Sequence, residues 1–223
     1  AMDIKKIEKF LIDNKYPKYR LKQIKKAVFC DLIDDWKNAA VLPNDLRDIL
    51  EKKFPIIGIK ISNTLTSKKQ DAIKAIFILN DGYAIETVLM KHSVISKNGK
   101  TGRNTICVSS QAGCPMKCSF CGTGQMGFKR NLSGEEIVDQ VLFFAKILKD
   151  SGNKVDNIVF MGMGEPFLNY DNVIEAIKVL NDKDGQLLLL YSFVGRDYLV
   201  VTIAEEPLKE IFRRLSSSQY LNK

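Results

Sequence analysis

Three cysteines lie close together near the middle of the chain: Cys114, Cys118 and Cys121 are separated by three and then two residues. Thiolates are soft ligands that select iron–sulfur clusters, zinc or copper(I) over hard cations. Three thiols on one loop can hold a single metal centre without ligands from distant parts of the chain. The spacing therefore predicts a metal site with these three cysteines as ligands.

The number of ligands helps to distinguish the possible metals. A structural zinc site normally closes with four ligands, whereas a reactive iron–sulfur cluster can leave one iron open to a substrate or cofactor. Cys107 is a candidate fourth ligand, but it lies seven residues before Cys114 in a predicted strand, and His92, the only histidine, is further away. The pattern favours an iron–sulfur cluster, and zinc stays open as the alternative.

Alternating strands and helices surround the cysteines. Short apolar runs predict buried strands at residues 105–108 and 157–161, and amphipathic helices are predicted at about 133–150 and 172–180. The first helix opens with a capping box, Ser133 to Glu136. A repeated strand, loop and helix predicts a parallel α/β sheet with its chemistry in the loops beyond the carboxyl ends of the strands.

A second loop of interest follows the strand at 157–161. Gly162 and Gly164 would let the backbone approach a ligand, and Glu165, which precedes Pro166, would offer a carboxylate to a cation. The alternative is a tight turn with a helix-capping acid. A Gly-x-Gly pattern is weak evidence alone, but its position after the cysteine loop makes a cofactor site a reasonable expectation.

The first third of the chain has a different pattern. Apolar stripes at helical spacing predict a helical region over residues 3–54. Its basic side chains could contact RNA phosphates, or could simply form the solvated face of a helix: Lys15, Lys18, Arg20, Lys22, Lys25 and Lys26. Residues 75–79 and 83–89 flank Asn-Asp-Gly and predict a β-hairpin, and the polar residues 93–104 predict a loop.

Composition agrees with a basic protein of a reducing compartment. The chain has 34 Lys and Arg against 26 Asp and Glu, a net charge of +8 that suits a polyanionic partner such as RNA. No apolar run approaches the roughly 18 residues of a membrane span, so no membrane partner is expected. Five clustered cysteines favour reduced thiols over disulfides. We expect a cytoplasmic protein.

Longer motifs around these residues resemble a known family. CxxxCxxC with Phe120 before the last cysteine is similar to the radical S-adenosylmethionine (SAM) signature. The segments 107–114, 124–132 and 159–170, in this order, resemble the RlmN/Cfr family of ribosomal RNA adenine methyltransferases. The proline of Met163-Gly164-Glu165-Pro166 is closer to the RlmN branch, which methylates adenine carbon 2, than to the Cfr branch, which methylates carbon 8.

The resemblance implies cofactors, partners and roles. A 4Fe-4S cluster would be bound by Cys114, Cys118 and Cys121, and the segment 162–166 would hold the methionine moiety of SAM. The substrate would be 23S rRNA, with tRNA as a second substrate, and the electron donor a protein such as flavodoxin. A radical formed from SAM would activate a methyl group carried on a cysteine. Glu86 resembles the proton acceptor, and Cys107 the second cysteine, which releases the product.

The resemblance also implies an organisation of the chain. Residues 1–56 would form a helical accessory domain that helps to bind RNA, 57–92 a β-hairpin region, and 93–186 the start of a partial radical SAM (β/α) barrel. Residues 187–223 match no motif of the family and are expected to be an atypical tail, with one strand at 187–194 and one helix at 203–215.

The resemblance is incomplete in one chemical respect. The last cysteine is Cys121, so the methyl-carrying cysteine that the family has near its C-terminus has no counterpart here. We therefore expect a family member cut short after about residue 186, which is inactive alone. Two alternatives remain: a zinc-stapled RNA-binding fragment, and a radical SAM enzyme that acts on another substrate.

Overall fold

A mixed β-sheet forms the centre of the fold in a computed structural model that describes residues 2–96, 99–181, 190–194 and 200–202. Within these residues the sheet has seven strands in the order β1-β2-β3-β4-β7-β8-β9. The strands are β1 (Lys60–Thr66), β2 (Ala72–Ile78), β3 (Ala84–Ser96), β4 (Gly99–Cys107), β7 (Asn157–Val159), β8 (Leu190–Val194) and β9 (Val200–Thr202). Strands β5 (Gln111–Ala112) and β6 (Arg130–Asn131) form a separate antiparallel ladder.

The direction of the strands changes across the sheet. Strands β1 to β4 form an antiparallel meander, β4 runs parallel to β7 and β7 parallel to β8, and β9 returns antiparallel to β8. The connection from β4 to β7 contains the short helix α4 (Gly122–Gln125) and the longer helix α5 (Gly134–Asp150). The predicted parallel α/β unit is therefore present, and the carboxyl ends of β4 and β7 lie side by side.

The helical N-terminal region has its own buried side chains. It contains α1 (Ile4–Asp13), α2 (Tyr19–Lys25), a π-helical turn (Lys26–Cys30), a 3₁₀ turn (Trp36–Asn38) and α3 (Asn44–Lys53). Trp36 is fully buried and donates from Nε1 to the Phe54 carbonyl at 2.8 Å. A large indole buried with its polar N–H satisfied stabilises this region.

Helix α5 joins the helical region to the sheet. One face of α5 lies against the sheet, where Gln140 accepts a hydrogen bond from Thr87 of β3 at 2.6 Å and the Phe143 ring lies 5.1 Å from that of Phe77 of β2. Its other side contacts the helical region, where Lys146 pairs with Asp34. Asp139 accepts hydrogen bonds from the Gly58 and Ile59 amides at 2.7 and 3.2 Å. The chain segment that leads into β1 is thereby anchored to α5.

Two sequence predictions need correction or narrower bounds. The loop predicted at 93–104 is wrong, because β3 continues to Ser96 and β4 begins at Gly99, with Ser96 paired to Gly99. Inter-strand pairing of a ribbon satisfies backbone groups that a polar loop would expose to water. The strand predicted at 187–194 is observed over Leu190–Val194, and the helix predicted at 203–215 lies outside the described residues.

In the described part of the chain, no helix is both long enough and apolar enough to cross a membrane.

Candidate functional site

The cysteine loop, residues 114–121, projects from the carboxyl edge of the sheet, and a short ladder closes its base. Gln111 pairs with Asn131 and Ala112 with Arg130. Just inside this ladder, Gly113 adopts a φ of +74°, and a Cβ there would lie 1.8 Å from the Gly127 carbonyl oxygen. Only glycine fits such an approach, so the two arms of the loop meet closely.

The three thiols differ in exposure. Cys114 is buried, whereas Cys118 and Cys121 are half-buried. Burial raises the pKa of Cys114, and the nearby charges of Glu165, Cys118 and Cys121 raise it further. These charge interactions place the Glu165 carboxylate and the three thiols in one neighbourhood.

The three thiols of the cysteine loop do not lie close enough together to bind one metal ion in the observed loop conformation. Among the described residues, no three His, Cys, Asp or Glu side chains are placed to hold a metal ion. The donor set itself fits a cluster that keeps one iron open, because it consists of three thiols on one loop at the sheet edge. The fourth thiol that a closed zinc site would need, Cys107, lies on strand β4 outside that loop.

The glycine loop, residues 162–165, is bonded to the segment that leads into the cysteine loop. The Met163 carbonyl accepts from the amides of Ser110 and Gln111 at 2.8 and 3.2 Å, and the Gly162 amide donates to the Val108 carbonyl at 3.1 Å. The Gln111 side chain accepts from the Glu165 amide at 2.9 Å. The two loops singled out from the sequence therefore form one layered unit.

The structure gives the two glycines a different immediate role from the one predicted. A Cβ on Gly162 would lie 2.7 Å from the Val108 carbonyl oxygen, and one on Gly164, whose φ is +97°, would lie 2.5 Å from Gln111 Cβ. The close approach is thus to the neighbouring protein loop. Contact between this loop and a cofactor stays a prediction.

Glu165 caps a 3₁₀ turn (Pro166–Asn169), which helix α6 (Tyr170–Leu180) follows. Glu165 Oε1 accepts from the Phe167 amide at 3.2 Å, and Pro166 occupies the first position of the turn. The capping alternative raised from the sequence is therefore observed. It leaves the carboxylate at the sheet edge near Cys114.

Glu86 and Cys107 lie on the same face of the sheet. Cys107 is opposite Val88 in the antiparallel β3–β4 pair, and Glu86 is two residues before Val88 on β3. Cross-strand diagonal neighbours of this kind are about 7–8 Å apart. The intervening residue, Thr87, points to the opposite, α5-covered face. The two residues that the resemblance assigned to catalysis thus come together.

Each of these two residues has a distinct environment. The Glu86 Oε2 accepts from Lys74 Nζ at 2.9 Å, across the β2–β3 pair, and both side chains are half-exposed. Burial raises the pKa of the Cys107 thiol, and a backbone hydrogen bond from Met161 partly offsets this. Cys107 therefore keeps its proton at a pH where an exposed thiol begins to ionise.

Sequence patterns did not indicate several polar residues that assemble this site. Ser109, Gln140 and Asn169 are buried, and each makes hydrogen bonds between segments far apart in sequence. Arg130 forms two bonds of 2.8 Å to Glu136 and also contacts Asp81. One feature of the sequence could have indicated these residues: they are polar residues within otherwise apolar strand ends and helix faces.

Around the cysteine loop, apolar side chains point into solvent. Phe120 is 90% exposed, and Met126, Phe128, Met161 and Leu168 are also exposed. Thiols and open apolar groups in loops at the carboxyl edge of a parallel sheet are the features that a site for a metal cluster and an organic ligand would need.

Comparison with known proteins identifies the class more closely. The chain belongs to the radical SAM superfamily, whose family profile matches residues 108–220. A solved structure, the crystal structure of a radical SAM methyltransferase from Sphaerobacter thermophilus, superposes with a TM-score of 0.78 at 32% identity, over 98% of this chain and 59% of that chain. The predicted α/β class with a partial radical SAM barrel is confirmed.

Curated relatives confirm the predicted resemblance to RlmN proteins. The ribosomal RNA large subunit methyltransferase N of Nitrosopumilus maritimus is 41% identical over 208 residues, which cover 91% of this chain and 59% of the relative. The dual-specificity RNA methyltransferase RlmN of Campylobacter lari is 45% identical over 174 residues, 76% of this chain and 49% of the relative. The chain thus spans about half to three-fifths of the length of these relatives.

The superfamily match also runs through most of residues 187–223, the segment that was predicted to be an atypical tail.

Proposed function

We propose that this chain is the cluster- and SAM-binding part of an RlmN-type methyltransferase, which methylates adenine carbon 2 in 23S rRNA and in tRNA. The observation that carries the proposal is the joining of the cysteine loop and the glycine loop into one unit beside Glu86 and Cys107. Relatives named as RlmN methyltransferases align over most of this chain.

The proposed ligands follow from the donor chemistry. Cys114, Cys118 and Cys121 would hold a 4Fe-4S cluster, and the segment from Gly162 to Pro166 would bind the amino acid end of SAM. When bound, these groups supply radical chemistry through reductive cleavage of SAM. Glu165 lies near Cys114, so its carboxylate would bind the ammonium group of SAM.

Two side chains on the opposite face from α5 would handle protons and product release. Glu86 offers a half-exposed carboxylate that would accept the proton from the adenine ring. Cys107, whose pKa burial raises, would keep its proton until it is needed as a nucleophile. Because they share a face of the sheet, both would lie next to the same substrate.

Partners and location are part of the proposal. A net charge of +8 favours RNA as the substrate, and a reducing cytoplasm would preserve the five free thiols. A small electron-transfer protein such as flavodoxin would deliver the electron that the cluster requires.

The first test is metal analysis of the anaerobically reconstituted chain. We expect matched iron and sulfide with broad visible absorption, and release of 5′-deoxyadenosine from SAM after reduction by dithionite. Cys118→Ala should abolish iron binding, whereas the matched change Cys107→Ala should retain it. Stoichiometric zinc without colour, lost equally in both variants, would instead support the zinc-stapled alternative.

The second test addresses the substrate in the source organism. Disrupting the gene that contains this sequence should remove 2-methyladenosine from 23S rRNA and tRNA, measured separately by mass spectrometry of nucleosides. Loss of 8-methyladenosine would favour carbon 8 chemistry instead. Unchanged methyladenosine in both RNAs, together with intact SAM cleavage in the first test, would favour a radical SAM reaction on another substrate.

A further inference from the structure

Ser109 lies at the point where three parts of the site meet. It follows Cys107 by two residues and precedes Cys114 by five. Its side chain is fully buried. A buried hydroxyl without partners is costly, so its bonding partners indicate what the residue stabilises.

The Ser109 hydroxyl connects β3 to the glycine loop. Its Oγ donates to the Glu86 carbonyl at 2.5 Å and accepts from the Met163 amide at 2.9 Å. Glu86 carries the proposed proton acceptor, and Met163 is the second residue of the proposed SAM-binding loop. One side chain therefore fixes the backbone of both.

The backbone of Ser109 is held in turn by Gln140 of α5. Gln140 Oε1 accepts from the Ser109 amide at 2.8 Å and from Thr87 Oγ1 at 2.6 Å, and Gln140 Nε2 donates to the Ser109 carbonyl at 3.0 Å. Gln140 and Thr87 are fully buried. The position of Ser109 is thus set by bonds on the side of the sheet that α5 covers.

The space around the hydroxyl is equally restricted. A Cβ on Gly162 would lie 2.8 Å from Ser109 Oγ. The glycine loop can therefore lie directly on the hydroxyl, and its amide at Met163 faces Oγ. If the hydroxyl is removed, the buried Met163 amide loses its acceptor, which typically costs more than an exposed hydrogen bond.

We propose that Ser109 is a positioning residue for SAM, because its hydroxyl holds the Met163 amide and so fixes the glycine loop relative to Glu86. This inference rests on the proposed function, since it assumes that the glycine loop binds SAM. Ser109 itself touches neither the cluster nor the substrate in this role.

The experiment compares Ser109→Ala with Thr87→Val in the reconstituted chain. Thr87→Val is a matched control, because it removes a buried hydroxyl of the same network that donates to Gln140, and it leaves the acceptor of the Met163 amide in place. We expect Ser109→Ala to raise the Kd for SAM about tenfold, the size expected for one buried acceptor, with iron and sulfide content unchanged. Thr87→Val should change that Kd less than about twofold.

A second measurement needs no SAM and no cluster. Amide hydrogen exchange by NMR should show a protected Met163 amide in the unaltered chain, faster exchange in Ser109→Ala, and protection retained in Thr87→Val. If the unaltered chain binds no SAM, the proposed function fails, and with it the assigned role in SAM binding, while exchange still reports whether Ser109 holds the loop. Equal effects of both variants on SAM affinity, or a Met163 amide that exchanges like an open loop in the unaltered chain, would overturn the inference.

Discussion

At the scale of single residues, Gly164 and Gly82 distinguish two physical reasons why a position requires glycine: backbone conformation and lack of space for a side chain. Both have positive φ, +97° and +88°, but a Cβ at Gly164 would collide with Gln111 at 2.5 Å whereas one at Gly82 would meet no atom within 4 Å. Alanine at either position strains the backbone by about 1–2 kcal/mol. Only at Gly164 does a steric clash with the adjoining loop add to that strain.

We expect Gly164→Ala to lower the free energy of unfolding by about 2–5 kcal/mol, the sum of backbone strain and overpacking. Gly82→Ala, the control, should cost about 1–2 kcal/mol. Urea unfolding of both variants gives the difference. A difference near zero between the two variants would mean that the loops do not pack as described. We also expect Gly164→Ala to lose SAM binding and Gly82→Ala to retain it.

The Cys107 thiol provides a prediction on pH. Because burial raises its pKa, the thiolate fraction of Cys107 is below that of an ordinary cysteine, whose pKa is 9.0, and is still rising above that pH. Alkylation by iodoacetamide should therefore be slow at pH 8 in the folded chain and should accelerate strongly above pH 9. Mass spectrometry of the Cys107 peptide measures this, and the urea-unfolded chain is the control. Equal rates in folded and unfolded chain at pH 8 would contradict the burial.

At the scale of elements, helix α5 was well predicted because its signals are local. The capping box is observed, with Ser133 Oγ accepting from the Glu136 amide at 3.2 Å and Glu136 accepting from the Ser133 amide at 2.9 Å. Apolar spacing then continues to Asp150 as predicted. Strand pairing beyond residue 93 was missed, because pairing depends on a partner strand and not on the composition of the segment itself.

The site was predicted unevenly for the same reason. Cys114, Cys118 and Cys121 are close in sequence, so their spacing could indicate a common ligand. The bonds of Ser109 and Gln140 join residues 23 to 54 positions apart, and no spacing rule reports such contacts. The close packing of Gly162 against the Val108 backbone could not be predicted either, since the sequence does not show whether a glycine allows a ligand or a neighbouring loop to approach.

Asp139 makes the junction between α5 and the segment before β1 sensitive to pH. Burial raises its pKa to about 7, although the Gly58 and Ile59 amides oppose this shift. A carboxyl that binds its proton more tightly when folded stabilises the fold at low pH. That contribution is complete below the usual pKa of 3.8 and is lost as the pH rises through about 7.

We therefore expect the free energy of unfolding of the unaltered chain, relative to that of Asp139→Asn, to decrease between pH 4 and pH 7. An asparagine oxygen can still accept from the two amides, but it carries no charge. Urea unfolding at several pH values measures both slopes. Asp150→Asn, at the exposed end of the same helix, is the control and should leave the slope unchanged. Equal slopes for the unaltered chain and Asp139→Asn would contradict the prediction.

At the scale of the whole molecule, the helical region and the sheet form one continuous apolar core with charged outer surfaces. Buried residues from Ile7 through Leu180 belong to a single packed cluster. Lys15 and Lys18 lie exposed on the helical region, away from that core. Whether this basic surface binds RNA or only faces solvent is therefore a question about charge, which substitutions can address without disturbing packing.

We expect the chain to bind a 23S rRNA fragment with an affinity that falls steeply with salt, since each phosphate contact releases counterions. Replacing Lys15 and Lys18 by Glu should weaken binding and reduce the salt slope by about 2, roughly 1 for each lost phosphate contact. The same change at Lys68 and Lys69, exposed between β1 and β2, alters the net charge equally and should affect the slope less. Filter binding between 50 and 200 mM salt measures all three proteins. Equal slopes for the two double variants would mean that total charge, and not the helical surface, attracts RNA.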